Sequence, residues 1–230
     1  MNSMRKLGYE IIKRVGTALL TPLNFSINTG HFRSSIARKA YDSNGNPTPW
    51  YTFPAIDFLS TIDFTDQSVL EFGGGQSTIW WSRRALYVLS IDNDAQWFNL
   101  ISPQIKEHTN VDFLLCEDLV EYANKPRGKQ FDLIVIDGGD RYLCARTALE
   151  YLKERGAIVL DDSEGTWGGD DDGTHPIIEL FKNAGFMRID FYGYAPGVIK
   201  PHCTSIFFKD RARIFENMNP PVRYYKYKRP

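Results

Sequence analysis

Cysteine is scarce. Only Cys116, Cys144 and Cys203 occur in 230 residues, and no two form a CxxC pair. An odd, scattered set is neither a disulfide framework nor a zinc site. Cys116 lies in an apolar run and reads as a small buried hydrophobe. Thiols used this way fit a reducing compartment, so the cytoplasm is the expected location. Long apolar runs are also missing, which leaves no candidate spanning helix. The first residues lack the apolar stretch of a signal peptide, because Arg5, Lys6, Glu10, Lys13 and Arg14 interrupt it. No charge of one sign dominates: 27 Lys and Arg stand against 28 Asp and Glu. A domain built around nucleic acid would be clearly basic, so nucleic acid is not expected as a partner. Internal repeats are absent. What is present is ordinary for a soluble globular chain: 43% apolar and 24% charged residues, enough for a sizeable core.

Residues 4–20 place Leu7, Ile11, Val15, Ala18 and Leu19 at helical spacing, with Lys6, Glu10, Lys13 and Thr17 opposite. This predicts an amphipathic helix. Residues 1–20 hold four cations and one acid, hence +3, which leaves two docking modes open. The helix packs on its own domain, or it lies on a membrane as a peripheral contact. Residues 42–49 read as a loop. From residue 69 the pattern becomes regular. Apolar runs at 69–72, 87–91, 111–116, 131–136 and 157–160 predict strands. Residues 76–86, 94–107, 141–155 and 175–184 predict helices, with Pro103 kinking or breaking the second and Gly156 stopping the third. Near-continuous apolar strands alternating with helices predict an α/β fold: a doubly wound, mostly parallel sheet with helices on both faces. Residues 193–203, between strands at 186–192 and 204–208, have no helical pattern. A parallel crossover needs a helix-length connection, so that last pair is predicted antiparallel. The chain divides into a helical extension (1–48), one main domain (49–210) and a tail (211–230). The tail carries six cations against Glu216, hence +5. It reads as a solvated or subunit-packing arm, which leaves a homo-oligomer open.

In a doubly wound sheet, ligands bind beyond the carboxyl ends of the strands. Five strands end in acids: Glu71 with Gly73, Gly74 and Gly75, then Asp92, Glu117 and Asp118, Asp137, and Asp161 with Asp162. Acids beside a core are costly without a partner or a task. Gly73 and Gly75 let the chain turn sharply and bring backbone N–H groups close to a ligand. The dinucleotide fingerprint needs glycine at 78, where this chain has Thr78, and no GK[ST] follows the turn. Glu71 would repel a pyrophosphate and attract an ammonium group, which favours a cationic nucleoside. Asp92 lies 19 residues after Gly73, where an acid accepts hydrogen bonds from ribose hydroxyls. The alternative for this region is helix capping, for which Asn93 and Asp94 are better placed. Asp118 reads either as an adenine contact or as a cap.

The segments VLEFGGGQSTIWW, SIDND, FDLIVIDGG and IVLDDSE resemble those of class I S-adenosylmethionine-dependent methyltransferases. The similarity covers roughly residues 50–209. It is nearest a bacterial small-molecule or glycan-type subgroup, with Pro49-Trp50-Tyr51-Thr52 before the first strand and an apolar fourth strand ending in IDG. The resemblance implies a seven-stranded Rossmann-like sheet with an antiparallel C-terminal strand. It implies that Glu71 meets the methionine ammonium, directly or through water. Gly73, Gly75 and Ser77 would line the loop beneath the cofactor, Ser77 standing where the family has a third glycine. Asp92, with Asn93 beside it, would hold the ribose, Asp118 the adenine, and Asp137 the methionine end. Trp50, Tyr51 and Thr52 would cover the cofactor, their alternative being core packing.

For the acceptor, the resemblance implies a hydroxyl, or another nucleophile, of a small molecule or glycan. A hydroxyl needs its proton removed by a base or its pKa lowered by a metal. Asp137, Asp161 and Asp162 resemble a carboxylate-rich site for Mg²⁺. Asp140 stands where some relatives carry His, and with Asp137 and His175 it completes the candidate bases. Residues 161–172 hold six carboxylates and no Lys or Arg, reading as a solvated loop or as a lid anchored by Trp167. Two rivals remain: a nicotinamide-dependent oxidoreductase on the same fold, and a non-catalytic cofactor-binding or scaffold protein.

Overall fold

The computed structural model describes residues 3–165, 175–216 and 218–220, with side chains from residue 10 onward. Trp167, the acids at 170–172 and residues 221–230 of the tail lie outside the described residues. The chain opens with α1 (Ser3–Asn28) and α2 (His31–Ala37), then α3 (Phe53–Ser60). Strands and helices then alternate: β1 (Ser68–Phe72), α4 (Gln76–Ser82), β2 (Tyr87–Asp92), α5 (Ala95–Ile105), β3 (Val111–Leu115), α6 (Leu119–Asn124), β4 (Phe131–Ile136), α7 (Arg141–Tyr151) and β5 (Leu152–Leu160). The chain continues through α8 (Pro176–Asn183), β6 (Met187–Gly193) and β7 (His202–Phe208), ending in a short 3₁₀ turn, Arg213–Phe215.

The seven strands form one sheet in the order β3-β2-β1-β4-β5-β7-β6. All neighbours from β3 to β5 are parallel, while β7 runs antiparallel to both β5 and β6. This is the expected doubly wound sheet with an antiparallel C-terminal member. Strand order reverses at β1 and β4, which opens a crevice beyond their carboxyl ends.

Alternate residues of the strands serve two cores. Val69, Val135 and Val159 face α3 and α4, packing with Tyr51, Leu59 and Trp81. Leu70, Ile134 and Ile158 face the other side, packing with Tyr122, Cys144 and Phe181. Both faces are covered, which explains the near-continuous apolar strands. All three cysteines are free and buried.

Four boundaries differ from expectation. The helix predicted over 141–155 ends at Tyr151, and β5 begins at once. Gly156 therefore stops no helix. It lies where a Cβ would come within 2.6 Å of Leu152 Cδ1 and 2.9 Å of Asp132 O. Only glycine lets β5 pass that close to β4 beside a register shift. Pro103 lies inside α5 without ending it. The helix predicted over 76–86 stops at Ser82. Finally, α1 runs on past residue 20 to Asn28, with Pro22 inside it. No helix among the described residues is long and apolar enough to cross a membrane.

Candidate active site

A cavity of about 480 Å³ lies beyond the carboxyl ends of the central strands. That is within the size range of small-molecule sites. Its floor is the turn after β1. Gly73 has φ 94°, and a Cβ there would stand 2.7 Å from Gly138 N and 2.8 Å from the Asp137 carbonyl carbon. A Cβ on Gly74 would overlap the Phe113 ring and approach Ser90 Oγ to 2.6 Å. The glycines thus let the β1 and β4 turns touch backbone to backbone and leave the loop open above. Asp92 ends β2. Its Oδ2 accepts from Gly74 N–H (2.9 Å) and its Oδ1 from Asp94 N–H (2.8 Å). Asp94, and not Asp92, caps α5 by accepting from the Gln96 and Trp97 N–H groups. Asp92 therefore keeps further lone pairs for a ligand. Burial raises its pKa. Trp97 Nε1–H donates to Gly74 O at 2.6 Å, and Trp50 lies 6.0 Å from Trp97 between ring centroids.

Glu71 sits beneath the loop, fully buried. Its Oε2 accepts from Thr78 Oγ1 (2.5 Å) and Ser90 Oγ (2.7 Å). Thr78 Oγ1 in turn accepts from Gly75 N–H, so the carboxylate pins the loop through Thr78. Oε1 has no partner in hydrogen-bonding geometry. Burial pushes this carboxyl up to about 7, opposed by the hydroxyls of Ser77, Thr78 and Ser90. Glu71 does not line the cavity, so an ammonium in the cradle would meet its charge through the loop or a water rather than by direct contact.

The third wall comes from β4, β5 and β7. Parallel pairing of β4 with β5 brings carboxylate oxygens of Asp137, Asp161 and Asp162 within 4.8 Å of one another. Arg141 is already among them: its guanidinium lies 3.2 Å from Asp137 Oδ1 and 3.4 Å from Asp162 Oδ2. Desolvation pushes Asp137 up to about 7, with Arg141 pulling down and the neighbouring acids pushing up. Asp161 is held well above the ordinary carboxyl range by burial and then by Asp137 and Asp162. Asp161 Oδ1 accepts from Thr204 Oγ1 at 2.6 Å. A divalent ion would have to compete with the arginine for the same oxygens. The site therefore does not fit Mg²⁺ as it stands. His202 adjoins this cluster, its Nδ1 3.1 Å from Asp162 Oδ1. Its Nε2 is buried with no hydrogen-bond partner.

The cavity wall brings together Trp50, Gly73, Gly75, Ser77, Asp92, Asn93, Asp137, Asp161 and Asp162. The other residues chosen from sequence lie off it. Tyr51 is fully buried, its hydroxyl accepting from Trp81 Nε1–H. Thr52 is buried too. Its N–H donates to Thr204 Oγ1 and its hydroxyl to Phe191 O, so it supports Asp161 through Thr204. Of the three residues expected to cover the cofactor, only Trp50 reaches the wall; Tyr51 and Thr52 pack in the interior. Asp118 is exposed and caps α6 through Glu121 N–H. Asp140 caps α7 through Leu143 N–H. His175 lines a separate cleft with Glu164, Tyr192 and Cys203. Sequence reasoning missed Arg141, Trp97, Val198 and His202. Arg141 offered one signal, its place four residues after Asp137 at a helix start. His202, a lone histidine after Pro201, offered none.

No profile of a known protein family matches the chain, and no curated protein is similar to it in sequence. Solved structures do match. One is a precorrin-6y C5,15-methyltransferase from Geobacter metallireducens, with a TM-score of 0.54 and 15% identity, over 76% of this chain and 97% of the other. Another is a Klebsiella pneumoniae protein assigned as an O-methyltransferase, at 0.52 and 17%, over 79% and 80%. A third is a Streptococcus mutans protein assigned as a methyltransferase and solved with S-adenosylhomocysteine, at 0.51 and 15%, over 66% and 94%. With its strand order and its glycine turn at the switch point, the chain has the fold of the class I S-adenosylmethionine-dependent methyltransferases.

Proposed function

We propose that the protein transfers a methyl group from S-adenosylmethionine to a hydroxyl of a small-molecule or glycan acceptor. The observation that carries this reading is the floor of the cavity: a glycine cradle that a Cβ would fill, Asp92 at its rim and the orphan Glu71 Oε1 beneath it. A pyrophosphate would be repelled there, which disfavours a nicotinamide cofactor. When bound, S-adenosylmethionine supplies an electrophilic methyl on a sulfonium. Asp92 would take the ribose hydroxyls, and Glu71, behind the wall, would meet the ammonium through water. Asp137 lends the far wall partial negative charge, tempered by Arg141, while burial holds Asp161 toward its neutral form. His202 is the base best placed for the acceptor. Asp162 orients the ring through Nδ1 and leaves the Nε2 lone pair for a hydroxyl proton. Much of the remaining rate would come from alignment within the cavity.

The test is thermal stabilisation together with transfer of labelled methyl. S-adenosylhomocysteine should raise Tm, because a ligand of the native state alone stabilises it by mass action, and NAD should not. Asp92→Ala should weaken that ligand by roughly 1–3 kcal/mol through lost acceptors. Stabilisation by NAD and not by S-adenosylhomocysteine would overturn the reading.

A further inference from the structure

The first 41 residues hold seven cations against the single acid Glu10. Within them, α1 is exposed from Glu10 to Asn24 apart from half-buried Gly16. Ile11, Ile12, Val15, Leu19, Leu20, Leu23 and Ile27 are each more than half exposed. At 3.6 residues per turn these seven fall on one half of the helix, an arc of about 180°. Lys13 borders that arc, and Arg14, Thr17, Thr21 and Asn24 lie on the opposite side. The apolar surface continues onto α2, where Phe32 is 60% and Ile36 74% exposed. The hairpin is held to its own domain elsewhere. Phe25 packs edge-on against Phe53 with ring centroids 5.3 Å apart. His31 Nδ1 lies 3.3 Å from the Gly197 N–H, in the loop between β6 and β7. The domain thus leaves the apolar arc uncovered.

We propose that α1 and α2 lie on an anionic lipid surface, apolar arc inward and cations at the headgroups. Three features argue for that occupant. An amphipathic helix of modest hydropathy with Lys and Arg beside a broad apolar face is the design of interfacial helices. The arc is wider than the two-position seam through which helices pair in coiled coils. A second copy would also bring the same excess cations against these, whereas anionic headgroups neutralise them, at about 1 kcal/mol per Lys or Arg. The attachment reaches the cavity through one loop. The residues that receive His31 continue to Val198 on the cavity wall and to Ile199, 86% exposed. Trp50 Nε1–H also donates to Pro196 O in that loop.

The experiment is flotation of the full chain with vesicles of phosphatidylcholine and phosphatidylserine, against phosphatidylcholine alone. The protein should float with the anionic vesicles only, and less so as salt rises. Lys13→Gln with Arg33→Gln, the latter exposed beside Phe32 and Ile36, should cut partitioning about 25-fold, roughly fivefold per cation. Leu19→Asp with Leu23→Asp should abolish flotation with the circular dichroism retained, since both side chains are exposed. If the aspartate pair unfolds the chain, the glutamine pair still decides. Three results would overturn the proposal: no flotation on anionic vesicles, equal flotation on both kinds, or no effect of the variants. A fourth is a wild-type dimer in sedimentation velocity that the aspartate pair dissociates while no vesicle binding is seen. That outcome assigns the face to a second copy.

Discussion

Glu71 has no solvent and only the hydroxyls of Ser77, Thr78 and Ser90 to oppose its desolvation, so its charge is poorly supported in the free protein. Its carboxyl is raised from the ordinary value to about 7 by burial. The folded chain therefore binds a proton that the unfolded chain has released between those values. The stability this confers is complete below the ordinary Glu value and is lost as pH rises through about 7. Glu71→Gln should accordingly stabilise the ligand-free protein at pH 8 by on the order of 2 kcal/mol, read as a raised Tm, and do little at pH 5. The same variant should weaken S-adenosylhomocysteine, which loses its partner for the ammonium. Equal effects on Tm at the two pH values would refute the assignment. His202→Gln makes a separate test. It should lower kcat by about 10²–10⁴ while leaving S-adenosylhomocysteine affinity within a factor of two or so. Unchanged turnover would remove His202 as the base. Why Asp92 was visible in the sequence and His202 was not follows from distance along the chain. Asp92 belongs to a strand-turn pattern spanning 20 residues, and its chemistry is local to that pattern. His202 acquires its meaning from Asp162, across the β5–β7 pairing. No single-sequence periodicity reports such a contact. Asp118 and Asp140 show how local chemistry competes: an acid before a helix can satisfy a cap, the alternative already open for Asp118, and both do.

The turn after β1 shows what an element contributes beyond its residues. Glu71 on the strand, Gly74 and Gly75 in the turn, and Thr78 in α4 form one hydrogen-bonded unit, closed by Asp92 accepting from Gly74. Gly74→Ala should break it, because the new methyl overlaps the Phe113 ring and meets Ser90 Oγ, which is itself bonded to Glu71. Overpacking of this kind costs about 1–3 kcal/mol. The expected outcome is a lowered Tm with S-adenosylhomocysteine binding lost more steeply than stability. A variant that binds normally would show that the loop adapts. The central strands of this sheet were legible because both faces are buried, so each reads as an apolar run, whereas the edge strand β6 is alternately exposed. The boundary between α7 and β5 was not. Lys153, Glu154 and Arg155 are good helix formers, and local propensity alone extends the helix to Gly156. Pairing overrides it: Leu152 joins Phe131, and Lys153 Nζ reaches Asp132 at 2.7 Å. The antiparallel end was readable from a connection too short and too rich in Pro and Gly for a crossover helix. That argument did not place β7 between β5 and β6.

Across the whole molecule the two ends of the sheet titrate in opposite senses. The carboxyl end concentrates acids whose pKa values burial raises: Glu71, Asp92, Asp137 and Asp161. The amino end holds Asp132, which is buried but paired. Its Oδ2 accepts from the Ser68 N–H (2.8 Å), the Ser68 hydroxyl (2.9 Å) and Lys153 Nζ (2.7 Å), and Arg213 lies 3.5 Å from Oδ1. Burial pushes Asp132 up, but Lys153 and Ser68 outweigh it and hold the carboxyl below its ordinary value. Its stabilisation is therefore present above the ordinary Asp value and is lost as pH falls through its folded value. Glu71 works the other way, weakening the fold as pH rises through about 7. Stability of the ligand-free protein should then peak between roughly pH 4 and pH 7. Asp132→Asn isolates the amino-end part. Removing the charge leaves Lys153 and Arg213 without it, at about 1–3 kcal/mol, or a fall in Tm of roughly 2–12 °C for a chain of this size. The deficit should be full at neutral pH and vanish in acid, where the wild-type carboxyl is protonated as well. Because no partner of Asp132 lies on the cavity wall, the rise in Tm produced by S-adenosylhomocysteine should be the same in variant and wild type. Calorimetry across pH with and without that ligand tests both statements. A variant whose ligand-induced shift shrinks would show that the two ends of the sheet are energetically linked, and a deficit that persists in acid would show that packing, not charge, made Asp132 stabilising.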